Sequence, residues 1–237
     1  MNTPKASNET NKVAFFDLDM TVYAGFSMAD FFFKNIIPFG RATQEQAIQA
    51  QNLMHKFTQG ELSYKDVTIQ SVQLSAEILQ HTTVAEVKRW QENFFTTDKF
   101  FPYVEPLFKY LKDNKFTIYI VSGSIEPIVS VNAHLLGVTG LYSELEIKNG
   151  QYSGRILSIL NYTTKEEAIA EIFESLEGKI FSIAVGDSSG DMDMLQKVTH
   201  GFLFEPREAG LKQQALEAGV TIVDSGSIIE SITQTLV

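Results

Sequence analysis

The residues best suited to chemistry fall in four short clusters. Asp17-Leu18-Asp19-Met20-Thr21 follows the apolar run Val13-Ala14-Phe15-Phe16. At the end of an extended strand, residues two apart face the same side, so Asp17 and Asp19 can point into one crevice. Carboxylates so close repel each other and raise a pKa unless a cation neutralises them; a hard divalent cation held by oxygen does that. Two solvated loop aspartates are the plainer alternative. Val121-Ser122-Gly123-Ser124 follows a second apolar run. Ser122 and Gly123 can offer hydroxyl and backbone donors to a phosphate, although a simple turn accounts for the same residues. Lys165 stands near the start of a helical pattern, where the helix dipole does not favour a cation. It reads either as a surface lysine or as an ammonium that neutralises phosphate charge. Gly186-Asp187-Ser188-Ser189-Gly190-Asp191 sets two aspartates among glycines that permit a tight turn, which suits a metal-binding loop. Helix capping explains one of those aspartates but not both together with the glycines.

The elements that must position these clusters can be read from periodicity. Apolar, β-branched and aromatic runs predict strands over residues 13–17, a run ending at Ser122, a run ending at Asp187, and residues 200–206 and 219–225. Helical patterns lie between the later ones: Glu126 to Leu136, Thr164 to Leu176, Met192 to Lys197, Glu208 to Ala218 and Ser227 to Leu236. Near-continuous apolar strands alternating with helices imply an α/β fold, a Rossmann-like doubly wound parallel sheet covered on both faces. Ligands bind such sheets at the carboxyl ends of the strands, where all the candidate residues but Lys165 directly follow a strand. Residues 26 to about 100 carry no strand pattern and are too long for a crossover loop. They are expected to form an inserted helical cap domain, residues 26–99, with residues 12–25 and 100–237 forming the α/β core. Asn149-Gly150, between alternating segments, predicts a β-hairpin over residues 142–156 that projects after the Glu126–Leu136 helix. The first ten or so residues read as a disordered leader.

Bulk properties narrow the partners. The chain has 237 residues, 44% hydrophobic and 20% charged, an ordinary globular balance. Its net charge of −10 opposes bulk attraction to nucleic acid or anionic lipid, so neither is an expected partner. With no cysteine, disulfides, thiolate catalysis and cysteine metal sites are excluded. The polar N-terminus is no signal peptide, and no apolar run approaches a membrane span. A cytoplasmic location is expected, and the oligomeric state is left open. His55, His81, His134 and His200 show no paired metal-ligand spacing.

The ordered set DLDMT, VSGS, Lys165 and GDSSGD resembles the haloacid dehalogenase superfamily. The helical insertion and the hairpin LEIKNGQYSGRI resemble its phosphoserine-phosphatase-like branch, subfamily IB. The resemblance runs from about residue 12 to 225. It implies a magnesium-dependent phosphatase acting on a small phosphorylated substrate. Asp17 is then the nucleophile that forms an aspartyl-phosphate, and Asp19 the general acid and base. Thr21, Ser122, Gly123 and Lys165 bind phosphate. Asp17, the Asp19 carbonyl and Asp187 hold Mg²⁺, while Asp191 supports the metal or orients Lys165. One departure is Met20, where many members have glycine.

The same resemblance argues against phosphoserine. Members that take it carry a glutamate nine residues after the nucleophile, and here that position is Phe26. They also use a cap arginine, and the predicted cap has only Arg41 and Arg89. The phenylalanine-rich segment 26–40 reads first as a helix packed into the cap core, with an apolar substrate wall as the alternative. Trp90 reads as a cap packing residue. A phosphotransferase sharing the same intermediate and a non-catalytic phosphate-binding protein are the other functions this sequence fits.

Overall fold

Strand β1, Asn11–Phe16, lies at the centre of the sheet and is buried from Val13 onward. It has neighbours on both edges, pairing parallel with β2 (Phe116–Ile125) and β5 (Ile180–Gly186). With β6 (His200–Phe204), β7 (Thr221–Val223), β3 (Thr139–Lys148) and β4 (Gln151–Ser158), a seven-stranded sheet runs in the order β4-β3-β2-β1-β5-β6-β7. All pairings are parallel except β3 with β4. This computed structural model describes residues 10–92, 94–160 and 162–236, so the N-terminal leader lies outside the described residues.

Alternation along β1 sorts its side chains to two faces, as the pleat requires. Ala14 and Phe16 join a cluster with α5 (Val104–Asp113), α6 (Glu126–Leu136) and α10 (Ile228–Gln234). Val13 and Phe15 join a second cluster with α7 (Tyr162–Glu174), α8 (Met192–Lys197) and α9 (Leu211–Glu217). Helices on both faces make the sheet doubly wound, as expected. Helix α5 is not among the expected helices, although its buried Val104, Leu107, Phe108 and Leu111 have the spacing of one helical face.

The hairpin forms at Asn149-Gly150, with φ of 51° and 77°. Two left-handed residues match the twist of flanking strands. It projects past the end of β2, as expected: β3 pairs with β2 only as far as Ile125 with Ser143, and with β4 from Glu144 onward. Its tip carries the insertion. The His81 amide donates to the Tyr152 carbonyl at 2.9 Å, the Tyr152 amide to Thr82 at 2.9 Å, and the Val84 amide to Gly150 at 3.0 Å.

The segment between β1 and α5 is helical, as expected. It contains α1 (Ser27–Phe31), a π-turn over Phe32–Ile36, α2 (Gln44–Thr58), α3 (Tyr64–Leu79) and α4 (Val84–Gln91). Helices α2, α3 and α4 start at Thr43, Ser63 and Thr83, each of which accepts a backbone N–H three residues on and so satisfies an end the helix leaves unpaired. The buried cluster is continuous from the sheet into this insertion, joining Phe16 and Ile125 to Phe31, Val72 and Leu79.

Candidate active site

Asp17 ends the ladder of β1, its amide donating to the Val185 carbonyl at 2.9 Å. The chain then turns over Leu18, whose carbonyl accepts from the amides of Val22 and Tyr23 at 2.9 and 2.7 Å. Met20 takes φ 60°, a left-handed conformation that costs most residues strain and glycine none. The departure at Met20 thus falls on the one backbone position of this loop that favours glycine. The loop brings Asp19 back under α1, where Oδ1 accepts the Ser27 amide at 2.7 Å. Thr21 is fully buried, its carbonyl accepting the Tyr103 hydroxyl at 2.6 Å, and its own Oγ1 has no protein partner.

On β2 the pairing with β3 slips between Val121 and Ile125, at the Ser122-Gly123-Ser124 stretch. Such irregularities release backbone groups from the ladder beside sites. A Cβ on Gly123 would stand 2.7 Å from Thr68 Cγ2 and 2.8 Å from the Leu160 carbonyl, so only glycine fits beneath α3. The Ser122 hydroxyl accepts the Ser124 amide at 3.2 Å, and the buried Ser124 Oγ has no protein partner.

Lys165 is no surface residue. Its side chain is 0% exposed, and Nζ lies 2.5 Å from Asp17 Oδ1 and 2.8 Å from Asp191 Oδ1. Asp191 Oδ2 accepts the Asp187 amide at 3.2 Å, the Ser188 amide at 3.1 Å and the Ser188 hydroxyl at 2.8 Å. Both Asp191 oxygens are thus engaged, one orienting Lys165 and the other closing the loop. A Cβ on Gly186 would sit 2.4 Å from Asp191 Cγ, which explains that glycine. The structure therefore gathers Asp17, Ser122, Gly123, Lys165, Asp187 and Asp191 at one end of the central strands, with Asp19 and the buried Thr21 on the loop that follows Asp17.

Burial dominates the electrostatics. It pushes the Asp17 carboxyl up to about 8 despite Lys165, with Asp191 adding to the rise. Asp19 is raised by burial to about 6, the Ser27 contact holding it lower than burial alone would. Asp187 is raised well above the carboxylate range by burial and by Asp191 and Asp17. Burial pulls the Lys165 ammonium down, but Asp17 and Asp191 outweigh it and hold it well above its usual value. Oxygen ligands of Asp17, Asp187 and Asp191 all lie within 4.8 Å of one another. Three carboxylates and one ammonium leave two negative charges with little water to screen them. That donor set, all oxygen and short of two positive charges, fits a hard divalent cation.

Two contributors carry no sequence signal of their own. Ser27 reaches Asp19 through its backbone amide at 2.7 Å. Tyr64 reaches the site from α3: its ring centroid is 5.9 Å from Lys165 Nζ, and a Cβ on Gly190 would be 2.4 Å from its Cδ1. Only the packing of α3 on the Gly190 turn brings it there.

Comparison with known proteins agrees with this arrangement. The family model for haloacid dehalogenase-like hydrolases matches residues 14–196. No curated protein matches the sequence. Among solved structures, the fold is similar to a Bordetella pertussis Tohama I protein of unknown function, at TM-score 0.78 and 21% identity, covering 92% of this chain and 100% of that one. It is similar to a substrate-bound phosphoserine phosphatase at TM-score 0.62 and 18% identity, covering 94% and 99%. A phosphoserine phosphatase from T. onnurineus aligns at TM-score 0.60 and 18% identity, covering 97% and 98%. The chain belongs to the haloacid dehalogenase-like hydrolase family and has the phosphoserine-phosphatase-like form of its fold.

Proposed function

We propose that the protein is a Mg²⁺-dependent phosphomonoester hydrolase that works through an aspartyl-phosphate on Asp17. The observation that carries this reading is the fully buried Lys165, bonded to both Asp17 and Asp191 beneath the crevice that Asp19 lines. A buried ammonium at that point neutralises an incoming phosphate and holds the nucleophile by one oxygen. A carboxylate oxygen of Asp17 attacks phosphorus, and the P–O bond to the alcohol breaks. Asp19, its pKa near neutrality, gives its proton to the departing alkoxide. Water then attacks the phosphorus, Asp19 takes the proton back, and phosphate leaves with Asp17 restored. Splitting one displacement into two is the advantage of the covalent route.

Donors at Ser122, Ser124 and the Gly123 backbone surround the equatorial oxygens in this reading. Asp17, the Asp19 carbonyl and Asp187 would hold Mg²⁺, which would screen the carboxylates from the phosphate. Thr21 supports the loop and supplies its unpaired hydroxyl to the phosphate pocket. Phosphoserine is not the substrate we propose: Phe26 stands on the cavity wall, and neither Arg41 nor Arg89 lines the cavity. Arg41 is instead bonded to Asn35 and stacked 4.5 Å from the Trp90 ring.

The experiment is phosphate release from a panel of monoesters, with Mg²⁺ or EDTA, for wild type, Asp17→Asn and Asp19→Asn. Release should require the metal, vanish in Asp17→Asn and fall by about 10²–10⁴-fold in Asp19→Asn. Near-wild-type turnover by Asp17→Asn would remove the covalent assignment.

A further inference from the structure

The cavity that Asp19 opens onto has two unlike walls. Its volume is about 690 Å³, and it meets Asp19, Ser122, Gly123 and Asp187 on the sheet side. The insertion forms the rest, and from residue 26 to residue 78 every side chain lining the cavity is uncharged. Phe32, Phe33, Met54, Phe57 and Leu74 dominate that wall. The other charged lining residues, Arg207 and Glu208, come from the loop between β6 and α9. Glu208 accepts the Ser189 amide at 2.7 Å, and Arg207 is near enough to Asp187 to lower its pKa. Of the hydroxyls on the wall, those of Thr58, Ser63 and Ser75 already donate, to the His55 carbonyl at 2.8 Å, Asp66 Oδ2 at 2.6 Å and the Ser71 carbonyl at 2.7 Å; Tyr64, Thr68 and Ser71 line it as well.

This surface is more than cap packing. Phe31 is buried in the core, stacked 5.5 Å from Phe95, as the core-packing reading expects. Its neighbours Phe32 and Phe33 line the cavity. The π-turn, marked by the Ile37 amide on the Phe32 carbonyl at 2.9 Å, adds a residue to that turn and lets the run serve both surfaces.

We infer that the substrate is the phosphate monoester of an apolar alcohol, whose hydrocarbon body fills this cavity while its phosphate lies at Asp17 and Lys165. The inference rests on the phosphatase reading. Cavities of this size enclose a drug-sized ligand, far more than a phosphate group. An ammonium, carboxylate or sugar hydroxyl group placed against the phenylalanine wall would lose water without gaining a partner. A hydrocarbon placed there gains by leaving water, and Met28 and Met54 can adjust to its shape.

The test is a series of straight-chain monophosphates from ethyl to decyl, with a prenyl phosphate, an aryl phosphate and phosphoserine as comparison arms. Two readouts run in parallel: kcat/KM for wild type, and calorimetric affinity for Asp17→Asn in Mg²⁺. Both should rise about threefold to fourfold per methylene until the cavity is full. The best of the straight, prenyl and aryl arms then identifies the kind of alcohol. Met54→Arg should flatten the slope, and Met54→Gln, of similar length, should weaken it if the charge prevents folding. Turnover of ethyl phosphate with no chain-length slope in either readout would overturn the inference and leave the phosphatase standing. A slope in affinity with no phosphate release from any member would overturn the phosphatase and leave the apolar class standing. Equal affinity across the series would overturn the inference whatever the turnover.

Discussion

At Lys165 one ammonium and two carboxylates share a space from which water is excluded. Charges so placed are held by each other, and removing one partner strands the rest. At about pH 9, above the value to which burial raises Asp17, Lys165→Met should therefore destabilise the metal-free protein by about 3–5 kcal/mol, read from urea denaturation. A loss below about 1 kcal/mol would mean that Asp17 and Asp191 are protonated or hydrated in solution and not held by the lysine. Met20 makes the opposite case. Its φ of 60° sets a side chain where glycine is free of strain, so Met20→Gly should relieve about 1 kcal/mol of local strain. Part of that is lost to glycine's greater freedom in the unfolded chain. A thermal melt that drops by several degrees would show that the Met20 side chain, which lines the cavity, packs more strongly than its backbone is strained.

Between elements, the contact that couples the insertion to the site is α3 against the turn after β5. Gly190 leaves room for the Tyr64 ring, and Gly123 leaves room for Thr68. Both glycines are explained by close approach of α3, since neither has a left-handed φ. Gly190→Ala should cost about 1–3 kcal/mol through overpacking. In a double-mutant cycle with Tyr64→Ala, the alanine should cost less once the ring is gone, by about 1 kcal/mol or more. Additive effects would place the strain elsewhere than on Tyr64. Opposite this contact, the hairpin tip holds α4 and the end of α3 by backbone hydrogen bonds, so the insertion is anchored at two points of the sheet.

For the molecule as a whole, the raised carboxyl groups link metal, protons and stability. The unfolded chain releases the protons of Asp17 and Asp187 near 3.8, whereas the folded metal-free protein keeps that of Asp17 up to about 8. Between those values the folded state binds more protons, so stability of the metal-free protein falls as pH rises. A divalent cation must displace those protons, so its affinity rises with pH across the same window. The rise in Tm caused by Mg²⁺ should therefore be larger at about pH 8 than at about pH 5.5, as scanning calorimetry would show. A pH-independent shift would mean that the carboxyl groups are already ionised without metal. Among the described residues, no helix is long and apolar enough to cross a membrane.

The sequence by itself determined the doubly wound sheet, the helical insertion and the order of the four clusters. Each of these is written in local periodicity or in a short motif, as in Val13–Phe16 and Asn149-Gly150. It also named Lys165 and Asp191, but it left Lys165 open between a surface and a site role, because burial is a property of the packed chain. Only the tertiary structure decided that the lysine lies between Asp17 and Asp191, residues far apart in sequence. Only it showed that the hairpin tip bonds to the insertion through His81, Thr82 and Val84, since that pairing is a long-range contact. The split of the phenylalanine run between core and cavity was likewise invisible, because a run that is apolar on every face has no period to assign a face to each residue. The cavity wall is built by helices meeting across space, and its lack of charge acquires chemical meaning only once they enclose the crevice that Asp19 and Asp187 line.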